Sequence, residues 1–338
     1  MTIRIAINGF GRIGRAVFRI VSQRSDIEVV AVNDLFENDT LAYLLKHDTV
    51  HSTFEGTIRT DDRFMYVDDH AIEMLEERDP AQLPWGKLDI DVVVESTGVF
   101  RSRDALLKHI QAGAKRVVLT VPPADELDAM VVMGVNDDIL TPSMRMVSNA
   151  SCTTNCLAPM AKMLDSAFQL ESGIISTVHA YTNDQRLADV PHKDFRRSRA
   201  AAENIIPTTT GAARAVGKIL PHLSGKIDGM AIRVPVPDGS VVDLVANLGT
   251  DVDVERLHDV VRQSAESDLK DIVEYCDRAV VSSDIVGNHH SCIFDPALTR
   301  QLGPRTMRML AWYDNEWGYS NRVVDLVVRL AGFGPPTS

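Results

Sequence analysis

A cysteine and a histidine are the residues of this chain best suited to nucleophilic chemistry. Cys152 lies in the segment Ser148-Asn149-Ala150-Ser151-Cys152-Thr153-Thr154, at the predicted start of a helix. The helix dipole and the backbone N–H groups there favour a thiolate, and those N–H groups could also form part of an oxyanion site. His179 ends an apolar strand and is the candidate base. Spacing along the chain leaves open whether the two side chains meet in space. The alternative is that both are structural, as free cysteines and single histidines more often are.

Basic residues are concentrated between residues 184 and 199, although the chain carries a formal net charge of −12. They are Arg186, Lys193, Arg196, Arg197 and Arg199. Arginine side chains bind phosphate oxygens through a planar fork of donors, so this segment is either an anion site or a solvated basic face. The run Thr208-Thr209-Thr210-Gly211 adds donors of the kind that phosphates use. Arg233 lies within an apolar strand, where its charge requires an anionic ligand or a carboxylate partner.

The segment Gly9-Phe10-Gly11-Arg12-Ile13-Gly14 matches the pattern G-x-G-x-x-G. A predicted strand precedes it, a predicted helix follows, and Asp34 stands 20 residues after Gly14 at the end of the next strand. In that context the glycines let backbone N–H groups approach a pyrophosphate, which the helix N-terminus also attracts. Asp34 can accept hydrogen bonds from both ribose hydroxyls and would repel a 2′-phosphate, which favours NAD over NADP. The alternative is a glycine-rich turn without a ligand.

Alternating strands and helices must position the glycine-rich segment. Strands are predicted at 3–7, 27–32, 91–95 and 116–121, and helices after the glycine-rich segment, after Asn38 or Asp39, and after Ser102. This alternation predicts an α/β domain with a doubly wound parallel sheet. We place this domain at residues 1–150.

The second half of the chain has a different pattern. A helix is predicted from near Ser151 to Phe168, and strands rich in β-branched residues at 173–178, 229–234 and 240–248. These strands are too close together for crossover helices between every pair, which favours an α+β domain with a mixed or antiparallel sheet. We place this domain at residues 151–314. The polar stretch 180–202 predicts a long ordered loop with a function. A C-terminal helix within 315–338 is expected to pack back on the first domain.

Composition limits the remaining classes. The length of 338 residues suggests two domains, and a net charge of −12 argues against a bulk binder of nucleic acid or of anionic membranes. The chain has no run of 18 apolar residues, and its first apolar run is too short for an export signal. With four cysteines, these features predict reduced thiols and a cytoplasmic location. We interpret Cys156 as a packed thiol; a redox pair with Cys152 is the alternative.

Over essentially its whole length the chain resembles the phosphorylating, NAD-dependent glyceraldehyde-3-phosphate dehydrogenases. The resemblance rests on the motifs at 7–15, 148–157, 179–185, 191–194, 206–212 and 312–316. It implies a Rossmann-type NAD-binding domain followed by a catalytic domain. It also implies a homotetramer, in which the loop 180–202 packs against a neighbouring subunit's cofactor site.

The resemblance implies a role for each matching residue. Cys152 would be the nucleophile and His179 its base, and Thr182 and Arg233 would hold the 3-phosphate of the substrate. Inorganic phosphate would be bound by Ser151, Thr153, Thr210 and Gly211, with Arg197 adding positive charge between the anion sites. NAD would be bound by Gly9, Gly11, Arg12, Ile13, Asp34, Arg78, Thr120 and Asn315.

The resemblance also implies a reaction. The Cys152 thiolate would add to the aldehyde, and His179 would remove the hydroxyl proton as hydride passes to NAD. Phosphate would then cleave the resulting thioester and release 1,3-bisphosphoglycerate. No metal is expected, because the cysteine supplies the nucleophile and NAD takes the hydride.

Some segments depart from the family pattern and leave alternatives open. They are Val236-Pro237-Asp238-Gly239, Thr120-Val121-Pro122-Pro123 and the segment 287–292, and the second leaves cofactor contacts near Thr120 in doubt. His289, His290 and Cys292 can be interpreted as a metal site, although no second Cys/His cluster lies nearby in sequence. Erythrose-4-phosphate dehydrogenase is the rival enzyme, and Thr182 and Thr210-Gly211 favour the triose. An additional binding role is a hypothesis of another class, which the residues neither support nor exclude.

Overall fold

The computed structural model describes residues 2–336, which form two compact units. The first unit comprises the described residues of Met1–Val131, Asp137–Ala150 and Ser320–Ser338. The second comprises Val132–Asn136 and Ser151–Tyr319. Among the described residues, no helix is long and apolar enough to cross a membrane.

A sheet of nine strands forms the centre of the first unit. The strands are β1 (Ile3–Asn8), β2 (Ile27–Asn33), β3 (Ile58–Thr60), β4 (Phe64–Val67), β5 (His70–Leu75), β6 (Val92–Glu95), β7 (Arg116–Leu119), β8 (Ala129–Met130) and β9 (Met146–Ser148). Their order is β3-β4-β5-β2-β1-β6-β7-β9-β8, and all neighbours are parallel except β3–β4 and β4–β5. The helices are α1 (Arg12–Val21), α2 (Asn38–Lys46) and α3 (Arg103–Gln111). The predicted parallel α/β sheet is confirmed.

Burial explains the apolar runs of this sheet. All residues of β6 and β7 are buried, as expected of central parallel strands that are covered on both faces. The chain places β2 on one side of β1 and β6 on the other, which creates a switch point at the carboxyl end of β1. Ligands of doubly wound sheets bind at such a point, and Gly9 follows β1 directly.

The start of α2 differs from the prediction. The residue that caps this helix is Glu37, whereas Asn38 and Asp39 are its first two residues. Glu37 has extended backbone angles, and its carbonyl accepts the N–H of Leu41 at 3.1 Å. The Asn38 amide instead donates to Asp61 O at 2.9 Å, so it is engaged away from the helix start.

A buried arginine at the start of the inner strand β7 binds three backbone carbonyls of the first unit. The Arg116 guanidinium donates to Gly334 O at 2.6 Å, to Pro142 O at 3.0 Å and to Met144 O at 3.2 Å. Its charge is thereby stabilised by three carbonyl dipoles, which a buried cation requires. The bonds fasten the segment after the last helix, α8 (Trp317–Ala331), to β7.

The second unit contains a mixed sheet of seven strands. The strands are β10 (Leu170–Ala180), β11 (Ile206–Thr209), β12 (Ile227–Val234), β13 (Ser240–Leu248), β14 (Val273–Tyr275), β15 (Cys292–Leu302) and β16 (Thr306–Tyr313). Their order is β11-β12-β10-β13-β16-β15-β14, with β10–β12 and β14–β15 parallel and the other pairs antiparallel. The remaining helices are α4 (Cys152–Phe168), α5 (Ala212–Ile219), α6 (Val254–Glu266) and α7 (Ser282–Ile285). The predicted mixed sheet is confirmed.

The predicted long loop is also present. Between β10 and β11 the chain forms no strand, apart from an isolated bridge between Arg186 and Ala200, and contains only a short 3₁₀ turn at Arg196–Ser198. Backbone bonds such as those from Val190 N–H to Ser198 O at 3.0 Å and from Ala201 N–H to Arg186 O at 2.8 Å hold the loop together with its side-chain bonds.

Candidate active site

Cys152 is the first residue of α4. Ser151 caps this helix, since its Oγ accepts the backbone N–H of Thr154 at 3.1 Å. Burial raises the pKa of the Cys152 thiol, whereas the Arg233 charge and a hydrogen bond from the Thr153 backbone lower it. The net pKa of the thiol is therefore raised, and the cation and the backbone donor at the start of α4 offset only part of the effect of burial.

His179 lies next to Cys152. Its Nε2 lies 3.4 Å from Cys152 Sγ, and its Nδ1 lies 2.7 Å from the carbonyl oxygen of Ala180. The carbonyl can only accept, so we assign the Nδ1–H tautomer, in which Nε2 is the acceptor that faces the thiol. Burial, reinforced by the Arg233 charge, lowers the pKa of His179 to about 3. The imidazole is thus a neutral base beside a thiol.

Arg233 reaches this pair through strand register. β12 runs parallel to β10 and places Arg233 opposite His179. Its Nη1 lies 2.8 Å from His179 Nδ1, 3.0 Å from Ala180 O and 3.2 Å from Thr182 Oγ1. Its Nε is buried and has no hydrogen-bond partner among the described residues. This arrangement leaves donor capacity for an anion beside the thiol.

The basic loop supplies its own carboxylates. The Asp184 carboxylate accepts the Thr182 hydroxyl and an Arg197 N–H. Although burial raises the pKa of Asp184, the Thr182 hydroxyl and the Arg233 and Arg197 charges lower it. Arg199 similarly bonds to Asp189 at 2.9 Å. The loop is therefore a network of ion pairs, in which Asp184 links Arg197 to the surroundings of Arg233.

Thr210 and Gly211 stand at the start of α5. Thr210 Oγ1 accepts the N–H of Ala212 at 3.2 Å, and Gly211 is the N-cap of the helix with no side-chain cap. A Cβ added to Gly211 would meet nothing within 4 Å. Because α5 packs against α4, the second unit contains two adjoining helices whose N-termini offer backbone donors.

Sequence reasoning missed the part played by Tyr313. Its Oη lies 2.8 Å from Thr153 Oγ1 and 2.9 Å from Thr177 Oγ1, and its ring packs edge-on against His179 with centroids 5.8 Å apart. One buried side chain thus holds the start of α4 to the strand that carries the base. Its position within the family-like motif 312–316 was the available signal, without an indication of its contacts.

Asn315 is also linked to the strand that carries the base. Its Oδ1 accepts the Ser240 hydroxyl at 2.6 Å, and Ser240 Oγ in turn accepts the N–H of Ala180 at 3.0 Å. The residue next to His179 is thereby connected to Asn315 through one serine.

The glycine-rich segment of the first unit has the geometry that a pyrophosphate requires. Gly9 has a φ of +93°, and a Cβ on Gly14 would lie 2.2 Å from Gly9 O. Gly11 caps α1 without a side-chain bond, and a Cβ there would meet nothing within 4 Å. The helix start is therefore accessible to a phosphate, and only glycine permits this turn.

Asp34 fastens this segment to the end of β2. Its Oδ2 accepts the N–H of Phe10 at 2.6 Å, and its Oδ1 accepts the N–H of Leu35 at 2.7 Å. Asn33, the preceding residue, bonds to the backbone N–H and carbonyl of Glu77, which places the exposed Arg78 near the same strand end. Asp34 and Arg78, which the resemblance assigns to NAD, therefore follow the neighbouring strands β2 and β5.

Three further residues of this unit complete the predicted set. Arg12 forms an ion pair with Asp48 at 2.5 Å, and Ile13 is half-buried in the first turn of α1. Burial raises the pKa of Asp48, but hydrogen bonds from the His51 backbone and the Arg12 charge lower it to about 2. Thr120 is buried after β7, and its Oγ1 donates to Glu95 O at 3.0 Å. The Arg12 guanidinium is thus engaged by the Asp48 carboxylate in this structure.

The remaining cysteines of interest lie in the core. Cys156 is fully buried. Its thiol forms a hydrogen bond with the Cys292 thiol and lies 3.7 Å from Ala311 O. The hypothesis of a metal site with Cys292 beside His289 and His290 is wrong for the cysteine, because Cys292 is buried at the first position of β15. All four cysteines are free thiols.

Comparisons with known proteins give a consistent result. Residues 3–103 match the family model of the glyceraldehyde 3-phosphate dehydrogenase NAD binding domain, and residues 151–315 match that of the C-terminal domain. Glyceraldehyde-3-phosphate dehydrogenase of Streptomyces coelicolor is 53% identical over 331 residues, covering 97% of this chain and 98% of that protein. Glyceraldehyde-3-phosphate dehydrogenase 2 of Saccharomyces cerevisiae is 52% identical over 331 residues, covering 97% and 99%. Glyceraldehyde-3-phosphate dehydrogenase 2 of Bacillus subtilis is 49% identical over 332 residues, covering 98% and 97%.

Proposed function

The chain belongs to the glyceraldehyde-3-phosphate dehydrogenase family, and on that premise we propose how its own residues perform the reaction. It is an NAD-dependent enzyme that oxidises glyceraldehyde 3-phosphate. The observation that carries the assignment of residues is the 3.4 Å separation of Cys152 Sγ and His179 Nε2.

The thiol and the imidazole act together. As Cys152 sulfur adds to the aldehyde carbon, its proton passes to His179 Nε2 and then to the former aldehyde oxygen, which gives a thiohemiacetal. His179 takes that hydroxyl proton back when the carbon is oxidised to a thioester. NAD, when bound, accepts the hydride of this step. Inorganic phosphate then attacks the thioester carbon, which releases 1,3-bisphosphoglycerate and restores the sulfur.

Two anion sites flank the thiol in this proposal. Arg233 and Thr182 bind the substrate's 3-phosphate, supported by the buried Arg233 Nε and its closeness to the base. Inorganic phosphate is bound by the starts of α4 and α5, through Ser151, Thr153, Thr210 and Gly211, with Arg197 adding positive charge. Thr153 contributes its backbone N–H, because its hydroxyl binds Tyr313.

The residues of the first unit fit NAD. The open start of α1 at Gly11 and the positive φ of Gly9 suit the pyrophosphate, and the Asp34 carboxylate suits a ribose. We assign cofactor contacts to Gly9, Gly11, Arg12, Ile13, Asp34, Arg78, Thr120 and Asn315. Residues 1–150 with 315–338 would form the NAD-binding domain and 151–314 the catalytic domain, which the division into two units supports in outline.

We further propose a homotetramer in the cytoplasm. The ion-paired loop 180–202 has exposed apolar residues, Leu187 and Phe195, which are 87% and 88% accessible in the single chain. Burial of such side chains against another subunit would favour assembly. Sedimentation of the purified protein tests this, and a monomer would contradict it.

Cysteine replacement tests the assignment of the nucleophile. Cys152→Ser should still bind NAD but lose oxidation of glyceraldehyde 3-phosphate, whereas the matched variant Cys156→Ala, one turn further along α4, should retain it. The assay is run with NAD and with NADP, with and without phosphate. Retained turnover in Cys152→Ser would exclude Cys152 as the nucleophile. Faster turnover of erythrose 4-phosphate, or turnover independent of phosphate, would favour the rival enzyme.

A further inference from the structure

Two histidines that the dehydrogenase reaction does not use meet an aspartate at the edge of the second sheet. One ligand atom from each of Asp271, His289 and His290 lies within 4.8 Å of the other two. Asp271 and His289 are exposed and His290 is half-buried, so an ion can reach the group from solvent. We propose that Asp271, His289 and His290 bind a divalent transition-metal ion, with Zn²⁺ as the representative ion.

Strand register holds the three residues together. Asp271 precedes β14, and His289 and His290 precede β15, which runs parallel to β14 with Val273 opposite Cys292. The Ile272 carbonyl accepts the backbone N–H groups of Ser291 and Cys292 at 3.0 and 3.1 Å. Because parallel strands begin at the same edge of a sheet, the ligands are fixed by the backbone rather than by the flexibility of a surface loop.

His290 has the outer support that metal-binding histidines require. Its Nδ1 lies 2.9 Å from Asn288 Oδ1 and 3.4 Å from Glu274 Oε2, so coordination of an ion would use Nε2. Asn288 Nδ2 donates to Glu274 Oε2 at 2.6 Å, which fixes both outer groups. Metal-ligating histidines commonly donate their other ring N–H to a carboxylate or a carbonyl in this way.

Helix α8 also restricts the loop that carries His289 and His290. A Cβ on Gly318 would lie 2.7 Å from His290 O, and the Gly287 N–H donates to Asp314 at 2.7 Å. The loop is thus packed against the start of α8 and has little freedom to separate the ligands.

The donor set selects the class of ion. Two imidazoles and one carboxylate suit Zn²⁺, Ni²⁺ or Cu²⁺, whereas Ca²⁺ and Mg²⁺ prefer all-oxygen sites. Tetrahedral ligands at about 2.05 Å from Zn²⁺ are separated by about 3.3 Å. The three ligand atoms lie within 4.8 Å of one another, so binding requires them to approach by at most about 1.5 Å. Water would fill the fourth position.

Calorimetric titration with Zn²⁺ tests the site. The titration uses the Cys152→Ser protein, because a thiol 3.4 Å from an imidazole nitrogen would offer Zn²⁺ competing donors. We expect one Zn²⁺ per chain, and an affinity at least about tenfold lower after His289→Asn or Asp271→Asn, since the loss of an outer partner alone costs roughly 10–100-fold. Asn tolerates the φ of +63° at residue 271. His222→Asn is the matched control, because His222 is exposed and pairs with one carboxylate, Asp165.

Each outcome decides the proposal. Zn²⁺ should also raise the melting temperature of the Cys152→Ser protein but not that of its His289→Asn derivative. In the Cys152-containing protein, His289→Asn should retain the dehydrogenase activity measured without zinc. Absence of binding, an unchanged affinity in both ligand variants, or an equal loss in His222→Asn would overturn the site.

Discussion

His179 and Arg233 share one acceptor, the backbone carbonyl oxygen of Ala180. His179 Nδ1 lies 2.7 Å from it and Arg233 Nη1 lies 3.0 Å from it. Burial lowers the pKa of His179 most. The Arg233 guanidinium lowers it further, because a cation so close to the imidazole disfavours a second positive charge. The same cation lowers the pKa of the Cys152 thiol, which burial raises. One arginine thus favours the neutral base and the ionised nucleophile together.

Replacing Arg233 with Ala should weaken both functions. KM for glyceraldehyde 3-phosphate should rise by about 30-fold, because a hydrogen bond to a charged group contributes about 2 kcal/mol. Alkylation of Cys152 by iodoacetamide should shift to higher pH, since the cation that lowers the thiol pKa is lost. Arg196→Ala, an exposed change in the basic loop, is the control. An unchanged KM would show that Arg233 does not bind the substrate phosphate.

Tyr313→Phe should lower stability and turnover together. The variant leaves the buried hydroxyls of Thr153 and Thr177 without their shared partner, and a buried polar group that loses its partner costs about 1–3 kcal/mol. Turnover should fall because the start of α4 loses its bond to the strand below it. Tyr66→Phe removes an exposed bond to Asp61, which water can replace, and should cost much less. Urea unfolding measures both, and equal losses would contradict the argument.

Asp238 makes stability depend on pH in a specific direction. Burial and then the Asp314 charge raise its pKa to about 9, and Asp314 itself accepts the N–H groups of Gly287, Glu316 and Trp317. Between pH 4 and pH 9 the folded chain holds a proton that the unfolded chain has released, so this group makes stability fall as pH rises across that range. The slope of one such proton is at most about 1.4 kcal/mol per pH unit.

Asp238→Asn should remove that decline. Free energies of unfolding measured from pH 5 to pH 9 should diverge, with the variant gaining relative to the parent as pH rises. Asp228→Asn is a matched control, because Asp228 also accepts the N–H of the following glycine at 2.8 Å but is exposed. Parallel pH profiles for Asp238→Asn and the parent would show that Asp238 is ionised in the folded protein.

Asp34→Asn should relax the choice of cofactor. The amide oxygen can still accept the Phe10 N–H, so the glycine-rich segment keeps its shape, but the charge that repels a 2′-phosphate is gone. We expect kcat/KM for NADP relative to NAD to rise at least about tenfold, which corresponds to about 1.4 kcal/mol of repulsion. Asp62→Asn, an exposed change outside the strand end, should leave the ratio unaltered. A fixed ratio in Asp34→Asn would assign the preference elsewhere.

Local patterns predicted the framework because they report local physics. The buried valines of β6 and the helix start near Ser151 follow from burial and helix geometry, which a short segment contains. The contacts of Tyr313 could not be predicted, since its partners lie 136 and 160 residues away and depend on sheet register. Cys292 shows the opposite error: proximity in sequence to two histidines suggested a ligand, but β15 begins with four buried residues, which places the Cys292 thiol in the core.

The bond between Arg116 and Gly334 has a consequence for the order of events during synthesis. The first unit includes the segment from Ser320 onward, so its sheet can form early, but Arg116 on the inner strand β7 cannot bind the Gly334 carbonyl until residue 334 has left the ribosome. By then all of the second unit has emerged. Until that moment the Arg116 guanidinium lacks one of its three carbonyls, so the first unit to begin is the last to complete its buried bonds.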